Sequence, residues 1–223
     1  MTESTSVIVL TSGRSGSSML SKMLSALGVD MGQTDAWGED VEIQVIHKRA
    51  LASVEHSWHR PPDRGTRDEM QRNSVNVIRV AVESRRNRRL WGWKDPRTPL
   101  FFQVYRDLLI GRDVRLLCLF RRPEATARNL VRSAGMSIED ALRLVHFYEA
   151  LVCEAISSVS WPRFSLRYED VLADPVGMTA RLCDFVGADV ALIPAVAAVV
   201  NLSKNHEHDP VVPGGFIPDV EVA

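Results

Sequence analysis

The chain has 223 residues, of which 45% are hydrophobic, and a formal net charge of −1 at pH 7. This size and composition predict one sizeable domain, residues 1–223, of the α/β class. The near-zero charge offers no general attraction for nucleic acid or an anionic membrane, so we expect no nucleic-acid partner and a small-molecule ligand.

The cysteines and the apolar segments indicate the compartment. Cys118, Cys153 and Cys183 lie among apolar residues, at spacings that match neither a disulfide framework nor a zinc motif, so we expect buried free thiols. No secretory leader is recognised, and no apolar run approaches the roughly 20 residues that span a bilayer. We therefore expect a cytoplasmic protein with no integral membrane segment.

The first predicted strand, residues 7–10, runs into the loop Ser12-Gly13-Arg14-Ser15-Gly16-Ser17-Ser18 and then into a helix. Such a loop aims backbone N–H groups and a helix N-terminus at an anion, and its glycines permit dihedrals that a Cβ would forbid. It lacks the Gly-Lys-Ser/Thr ending by which nucleoside triphosphatases hold terminal phosphates and magnesium. Arg14 instead offers a permanently charged guanidinium that bonds two oxygens of a phosphate or sulfate. The loop predicts a phosphate cradle; the alternative is a serine-rich capping turn with a surface arginine.

The next part of the chain, about residues 30–88, is predicted to be mainly helical and to cover an acceptor pocket. Residues 30–40 have the polar, glycine-containing composition of a loop, and helices are predicted over residues 42–54 and 67–85. Residues 58–65, rich in helix breakers, separate these helices.

Three further strands are predicted over residues 90–93, 114–120 and 163–168, and each is followed by charged residues. A helix is predicted to follow the strand at 114–120 and to continue through Ser133, and another is predicted over residues 138–159. Two short helices are predicted after the last strand. Alternating strands and helices predict a parallel sheet whose ligands bind beyond the carboxyl ends of its strands. Residues 205–223 are predicted to be an irregular tail.

Four motifs in this order resemble those of bacterial sulfotransferases that use 3′-phosphoadenosine 5′-phosphosulfate (PAPS). They are the loop at 12–18, Trp91-Gly92-Trp93-Lys94-Asp95-Pro96-Arg97-Thr98, Phe120-Arg121-Arg122-Pro123 and Arg167-Tyr168-Glu169-Asp170. The resemblance extends to about Gly187. It implies a three-layer α/β/α fold like that of P-loop nucleotide kinases. It also implies PAPS as cosubstrate, 3′,5′-adenosine bisphosphate (PAP) as product, and transfer without a metal ion.

The resemblance also implies a nucleotide site. The 5′-phosphosulfate contacts of the family fall on Arg14, Ser15, Gly16, Ser17 and Ser18. Its 3′-phosphate contacts, an arginine and a serine eight positions later, fall on Arg121 and Asn129; an asparagine amide can still donate to phosphate, and Ser133 is the alternative. Tyr168 resembles a tyrosine that approaches the nucleotide in some relatives. The alternative role for Tyr168 is that of a core aromatic residue. The family's late basic segment has no match here, Lys204 being the nearest basic residue.

Sulfuryl transfer needs an in-line hydroxyl, a base for its proton, and cations that offset charge on the sulfonate and the leaving phosphate. Lys94 and Arg14 are the expected cations; the alternative for Lys94 is a surface lysine.

Three carboxylates compete for the role of base. Asp95, next to Lys94, is the first candidate, and its alternative role is structural, as a helix cap or an orienter of Arg97. Glu39 and Glu42 lie in a stretch that resembles the family's acidic segment, and their alternative is a solvated helix start. His47, on the same helix, is a weaker candidate.

The expected function is transfer of the sulfuryl group from PAPS to a hydroxyl, in preference to an amine, of a small-molecule, carbohydrate or lipid acceptor. Candidates to line the acceptor pocket are Trp37, Trp58, Trp91 and Trp93, the alternative being core packing. Two alternative functions stay open: a P-loop kinase that uses ATP and magnesium, or a non-catalytic relative that binds the nucleotide. No metal site is expected, because the pairs His56/His59 and His206/His208 have no third ligand at a recognised spacing. The sequence does not determine the oligomeric state, and a homodimer is one of the states that stay open.

Overall fold

The computed structural model describes residues 4–200 and confirms the α/β class. Four parallel strands form one sheet in the order β2-β1-β3-β4. The strands are β1, Thr5–Thr11; β2, Leu90–Lys94; β3, Asp113–Phe120; and β4, Arg163–Arg167. Because β1 pairs with both β2 and β3, the loop that follows β1 lies between the carboxyl ends of its two neighbours.

Helices connect and cover the strands. They are α1, Ser17–Ala26; α2, Val41–Ser53; α3, Arg64–Glu83; α4, Phe102–Leu108; α5, Pro123–Ala134; α6, Ile138–Ser157; α7, Tyr168–Ala173; α8, Pro175–Val186; and α9, Ile193–Ala197. Short 3-10 turns occur at Thr98–Phe101 and Val190–Leu192.

Side chains that alternate along the strands build a core on each face of the sheet. On one face, Ile8 of β1 and the tryptophans Trp91 and Trp93 of β2 pack with α3, α4 and α6. On the other face, Val7 and Val9 pack with α1, α7 and α8. The sheet is covered on both sides, which is the three-layer arrangement that the resemblance implied. Trp91 and Trp93 are core residues and not pocket residues.

Aspartate caps set the starts of α2 and α3. Asp40 Oδ1 accepts the N–H of Ile43, and Asp63 Oδ1 accepts the N–H of Thr66. The cap at Asp63 explains why α3 begins earlier than predicted. The last strand ends one residue earlier than predicted, because Tyr168 already belongs to α7.

The cysteine prediction is correct at two positions and wrong at the third. Cys118 and Cys183 are buried free thiols, whereas Cys153 is exposed. Cys153 follows Leu151 and Val152 on α6, which face the core, and so falls on the solvent side of that helix.

Within residues 4–200, no helix is long and apolar enough to cross a membrane. In the same residues, no three His, Cys, Asp or Glu side chains are grouped as a metal site would require. The predicted tail and the residues Lys204, His206 and His208 lie outside the described part of the chain.

Candidate active site

The loop between β1 and α1 is held in shape by its own polar groups. The Ser15 hydroxyl donates to the carbonyl of Ser12 at 2.9 Å and lies 2.5 Å from Oγ1 of Thr11. Ser15 is fully buried, so its side chain supports the loop instead of facing a ligand. Helix α1 begins two residues later, which places the N–H groups of its first turn at the end of the loop.

Two glycines let bulky aromatic side chains pack against this loop. A Cβ on Gly16, whose φ is +91°, would lie 2.3 Å from Cδ2 of Tyr168. A Cβ on Gly13 would lie 2.4 Å from Cζ3 of Trp58. The loop is therefore held between the start of α7 and the segment that joins α2 to α3, and both contacts need the absence of a side chain.

Arg14 has a φ of 67°, in the left-handed region that residues other than glycine rarely adopt. Its guanidinium carbon lies 4.8 Å from the ring centroid of Trp37. Its Nε is buried and has no hydrogen-bond partner among the described residues. A partly desolvated guanidinium with a donor unused is suited to bind an anion.

A cavity of ≈ 330 Å³, here called the cradle cavity, adjoins this loop. Lys94 lines it, together with most of the residues that the resemblance assigns to the nucleotide. These are Arg14, Gly16, Ser17, Ser18, Arg121, Asn129 and Tyr168. The predicted nucleotide contacts, which come from β1, β3, α5 and α7, therefore converge on one cavity.

The wall of the cradle cavity also combines a cation with a hydrogen-bonding amide. Arg121 follows β3, and its guanidinium carbon lies 4.4 Å from the ring centroid of Tyr168. Asn129 Oδ1 accepts a hydrogen bond from Arg132 Nη2 at 2.7 Å, which leaves the amide N–H groups of Asn129 for a ligand. Ser133, the alternative to Asn129, lines a different cavity.

That second cavity, here called the helical cavity, has a volume of ≈ 590 Å³. Most of its wall comes from the region between α1 and α3: Asp35, Trp37, Glu39, Gln44, Lys48, Leu51, His56, Ser57, Trp58 and His59. Arg14, Trp37, Glu39 and Trp58 line both cavities. The two cavities therefore adjoin, and a guanidinium, a carboxylate and two indoles stand at their junction.

The carboxylate at the junction, Glu39, is held by three side chains. Its Oε2 accepts hydrogen bonds from Gln44 Nε2 at 2.7 Å and from Arg97 Nη1 at 3.2 Å. Its Oε1 lies 3.7 Å from Lys94 Nζ. The Glu39 side chain is 13% exposed, so it is oriented by the protein and still open to the cavities.

Lys94 ends β2, and its side chain is almost completely buried. Its Nζ donates to the carbonyl of Trp37 at 3.1 Å. Burial lowers the pKa of this ammonium group, against the opposing effect of Glu39, Asp95 and Asp35. The surface-lysine alternative does not fit this environment.

Asp95 lies one residue further on and is fully buried. Its Oδ2 is 2.5 Å from Arg97 Nη1, and its Oδ1 accepts the backbone N–H of Arg97 at 2.8 Å and lies 3.0 Å from His47 Nδ1. Burial by itself would raise the pKa of Asp95, but the hydrogen bond from His47 and the charges of His47 and Arg97 keep it below the ordinary value. Both carboxylate oxygens are therefore occupied inside the protein.

A sequence model described as the Sulfotransferase family matches residues 6–191. The chain belongs to the sulfotransferase family. No curated protein matches the chain.

Solved structures agree with this sulfotransferase assignment at the level of the fold. The sulfotransferase domain of the Synechococcus PCC 7002 olefin synthase is 19% identical, with a TM-score of 0.54 over 85% of this chain and 76% of that one. The sulfotransferase domain from the curacin biosynthetic pathway is 16% identical, with a TM-score of 0.55 over 94% and 80%. A sulfotransferase from Alicyclobacillus acidocaldarius is 17% identical, with a TM-score of 0.53 over 82% and 81%.

The other candidates for a base in this sulfotransferase lie away from the junction. Glu42 has a side chain that is 52% exposed and pairs with Arg85 at 2.7 Å, and it lines neither cavity. His47 is fully buried and bonded to Asp95 and to the Tyr105 hydroxyl.

Sequence reasoning missed two residues that shape the acidic part of the site. Asp35 Oδ1 accepts the backbone N–H groups of Trp37 and Glu39, at 2.8 and 2.9 Å, in a tight turn. Gln44 Nε2 donates to both Asp35 and Glu39. The available signal was the Asp-x-Trp spacing, because an aspartate before a turn often accepts the N–H two residues on.

Proposed function

We propose that this protein transfers the sulfuryl group of PAPS to a hydroxyl of an acceptor, releasing PAP, with no metal ion in the transfer step. The observation that carries the proposal is that Arg14 and Glu39 line both the cradle cavity and the helical cavity. A cation for the transferred group and a base for the acceptor then stand where donor and acceptor would meet.

The cradle cavity is the proposed PAPS site. The loop N–H groups and the hydroxyls of Ser17 and Ser18 would bind the 5′-phosphosulfate, and Arg121 with Asn129 would bind the 3′-phosphate. Tyr168 offers a ring face within the same cavity. This assignment rests on the family membership and on the convergence of these side chains.

The helical cavity is the proposed acceptor site, which gives residues 30–88 the covering role expected of them. Trp37 and Trp58 provide apolar surface, while Asp35, Gln44 and His59 provide hydrogen-bonding groups. Burial, followed by the charge of Arg97, lowers the pKa of His59, so this imidazole is neutral near pH 7. Such a mixture suits a small molecule with several hydroxyls, and a screen of carbohydrate, lipid and other alcohols identifies its class.

Glu39 is the proposed general base. As the acceptor oxygen bonds to sulfur and the bond from sulfur to the 5′-phosphate oxygen breaks, Glu39 would take the hydroxyl proton. Arg14 and Lys94 would offset the negative charge that develops on the sulfonate and on the departing phosphate. Asp95 does not suit the role of base, because it lines neither cavity and both its oxygens are occupied.

Thermal shift with PAP, beside ATP with and without magnesium, tests the donor assignment. Selective stabilisation by PAP is the expected result, since a ligand that binds the folded state raises the melting temperature. Stabilisation by magnesium-ATP alone would contradict the proposal and favour a kinase. PAP binding without transfer of ³⁵S from PAPS to any acceptor or to water would favour a non-catalytic relative.

A further inference from the structure

A chain of hydrogen-bonded side chains runs from the junction of the cavities into the core. It begins at Glu39, continues through Arg97, Asp95 and His47, and ends at Tyr105. The successive distances are 3.2 Å, 2.5 Å, 3.0 Å and 2.9 Å. Asp95, His47 and Tyr105 are fully buried, and Arg97 is nearly so. Buried polar groups are costly unless they are paired, so each link depends on the next.

The direction of the hydrogen bond between His47 and Asp95 follows from the chemistry of its ends. Asp95, ionised beside Arg97, is only an acceptor, so His47 Nδ1 carries the proton of that bond. Burial raises the pKa of Tyr105 well above its ordinary value, so its hydroxyl stays protonated, and it lies 2.9 Å from His47 Nε2. The ring of His47 also stacks on Phe101, with centroids 4.2 Å apart and planes 6° apart. The imidazole is therefore fixed in position by two hydrogen bonds and a stacked ring.

The chain of side chains ties together elements that are distant in sequence. His47 belongs to α2, Asp95 and Arg97 follow β2, and Tyr105 belongs to α4. Arg97 Nη1 is shared between Asp95 Oδ2 and Glu39 Oε2. The position of the Arg97 guanidinium beside Glu39 therefore depends on Asp95, and the position of Asp95 depends on His47.

We propose that Asp95 and His47 are positioning residues for the base: they hold Arg97, which orients the Glu39 carboxylate at the junction of the two cavities. This inference rests on the proposed function. Neither Asp95 nor His47 lines a cavity, so each acts only through Arg97. Loss of this support should lower the rate of transfer and leave the binding of PAPS and PAP nearly unchanged.

The experiment compares His47→Leu with His47→Asn in the full chain. Asparagine can place an N–H near the position of Nδ1 and so keep the donor to Asp95, whereas leucine cannot. PAP release from PAPS, with an acceptor or with water in its place, gives kcat and KM, and calorimetry gives the Kd for PAP. We expect His47→Leu to lose about 10- to 100-fold in kcat, as for a displaced catalytic group, and His47→Asn to recover most of it. KM for PAPS and Kd for PAP should stay within about twofold of the wild-type values, since no contact to the nucleotide is removed.

A control separates positioning from general instability. Leu182→Val removes a methylene from the core on the other face of the sheet and should lower the melting temperature with little effect on kcat. If His47→Leu does not fold, Tyr105→Phe breaks the far link with almost no change in shape and should give a smaller loss in kcat.

The failures of the two proposals are distinguishable. If the wild type binds no PAP, the proposed function is wrong. Suppose that the wild type transfers sulfate and that Glu39→Gln is inactive. If His47→Leu then retains the kcat of the Leu182→Val control, only the positioning inference is overturned. If Glu39→Gln retains full activity, Glu39 is not the base and the inference is wrong as well, while the PAPS reaction itself stands.

Discussion

The guanidinium of Arg14 lies over the indole of Trp37, with the guanidinium carbon 4.8 Å from the ring centroid. This contact joins the loop between β1 and α1 to the loop that carries Glu39, and so couples the wall of one cavity to the wall of the other. A cation over an indole contributes about 0.5–2 kcal/mol, depending on its exposure to water. The contact also restricts where the Arg14 side chain can lie.

Arg14→Ala should reduce sulfate transfer by about 100-fold or more, because a positioned cation at developing charge is removed. Arg14→Lys keeps the charge but loses the bidentate geometry, so we expect an intermediate rate. Trp37→Leu removes the surface under Arg14 and part of the apolar wall of both cavities, and it should cost less than Arg14→Ala because the cation stays. Steady-state kinetics with PAPS measures all three variants, and wild-type activity in Arg14→Ala would contradict this role.

The pair Glu39→Gln and Glu42→Gln separates the two acidic candidates near the start of α2. Glu39→Gln should lower kcat by about 10²- to 10⁴-fold, because a general base is lost while its shape is kept. Glu42→Gln should stay within about twofold, since its partner is Arg85 and it lines neither cavity. The reverse pattern in single-turnover transfer would move the base to Glu42.

The pH dependence of stability should report the buried pairing of Asp95. The folded pKa of Asp95 is lowered, so its contribution is fully present above the unfolded pKa of about 3.9 and is lost as the pH falls through the folded value. Asp95→Asn breaks a buried pair and should cost about 3 kcal/mol of unfolding free energy near pH 7. The difference from wild type should shrink as the pH falls below about 4.

Urea unfolding at a series of pH values measures this difference. Asp107→Asn is the control, because Asp107 is exposed and pairs with Arg106 at the surface. A difference for Asp95→Asn that grew as the pH fell would mean that the sign of the pKa shift is wrong.

Gly16→Ala should weaken PAP binding and lower the melting temperature. The added Cβ would meet the Tyr168 ring at 2.3 Å, in a backbone conformation with φ of +91° that alanine rarely adopts. Gly65→Ala is the matched control, since its Cβ would lie 3.6 Å from the nearest atom. Thermal shift with and without PAP compares the two, and equal behaviour would contradict the packing described for the loop.

Asn129→Ala should weaken PAP binding by about 10-fold, as expected for loss of one hydrogen bond to a charged group. AMP lacks the 3′-phosphate, so its weaker binding should not change in this variant. Asn129→Ser should retain the preference for PAP over AMP. An equal loss for PAP and AMP in Asn129→Ala would show that this residue does not contact the 3′-phosphate.

The sequence alone determined the class of fold and predicted which motifs would meet at the carboxyl edge of the sheet. These are local patterns: an apolar strand, a Gly-Arg-Ser-Gly loop and the start of a helix each depend on neighbours in the chain. Because parallel strands end at the same edge of a sheet, motifs that follow strands are brought together whatever the details of packing. Arg14, Arg121 and Asn129 are found at one cavity for this reason.

Only the tertiary structure distinguished the acidic residues from one another by their surroundings and set the order of the strands in the sheet. Asp95, Glu39 and Glu42 are equivalent as carboxylates in the sequence, and they differ because Arg97 and His47 enclose one, Arg85 takes another, and Glu39 alone lines both cavities. The strand order β2-β1-β3-β4 and the exposure of Cys153 likewise depend on which distant surfaces pack together. Burial and pairing change a side chain's chemistry, and both are properties of contacts that a linear pattern does not encode.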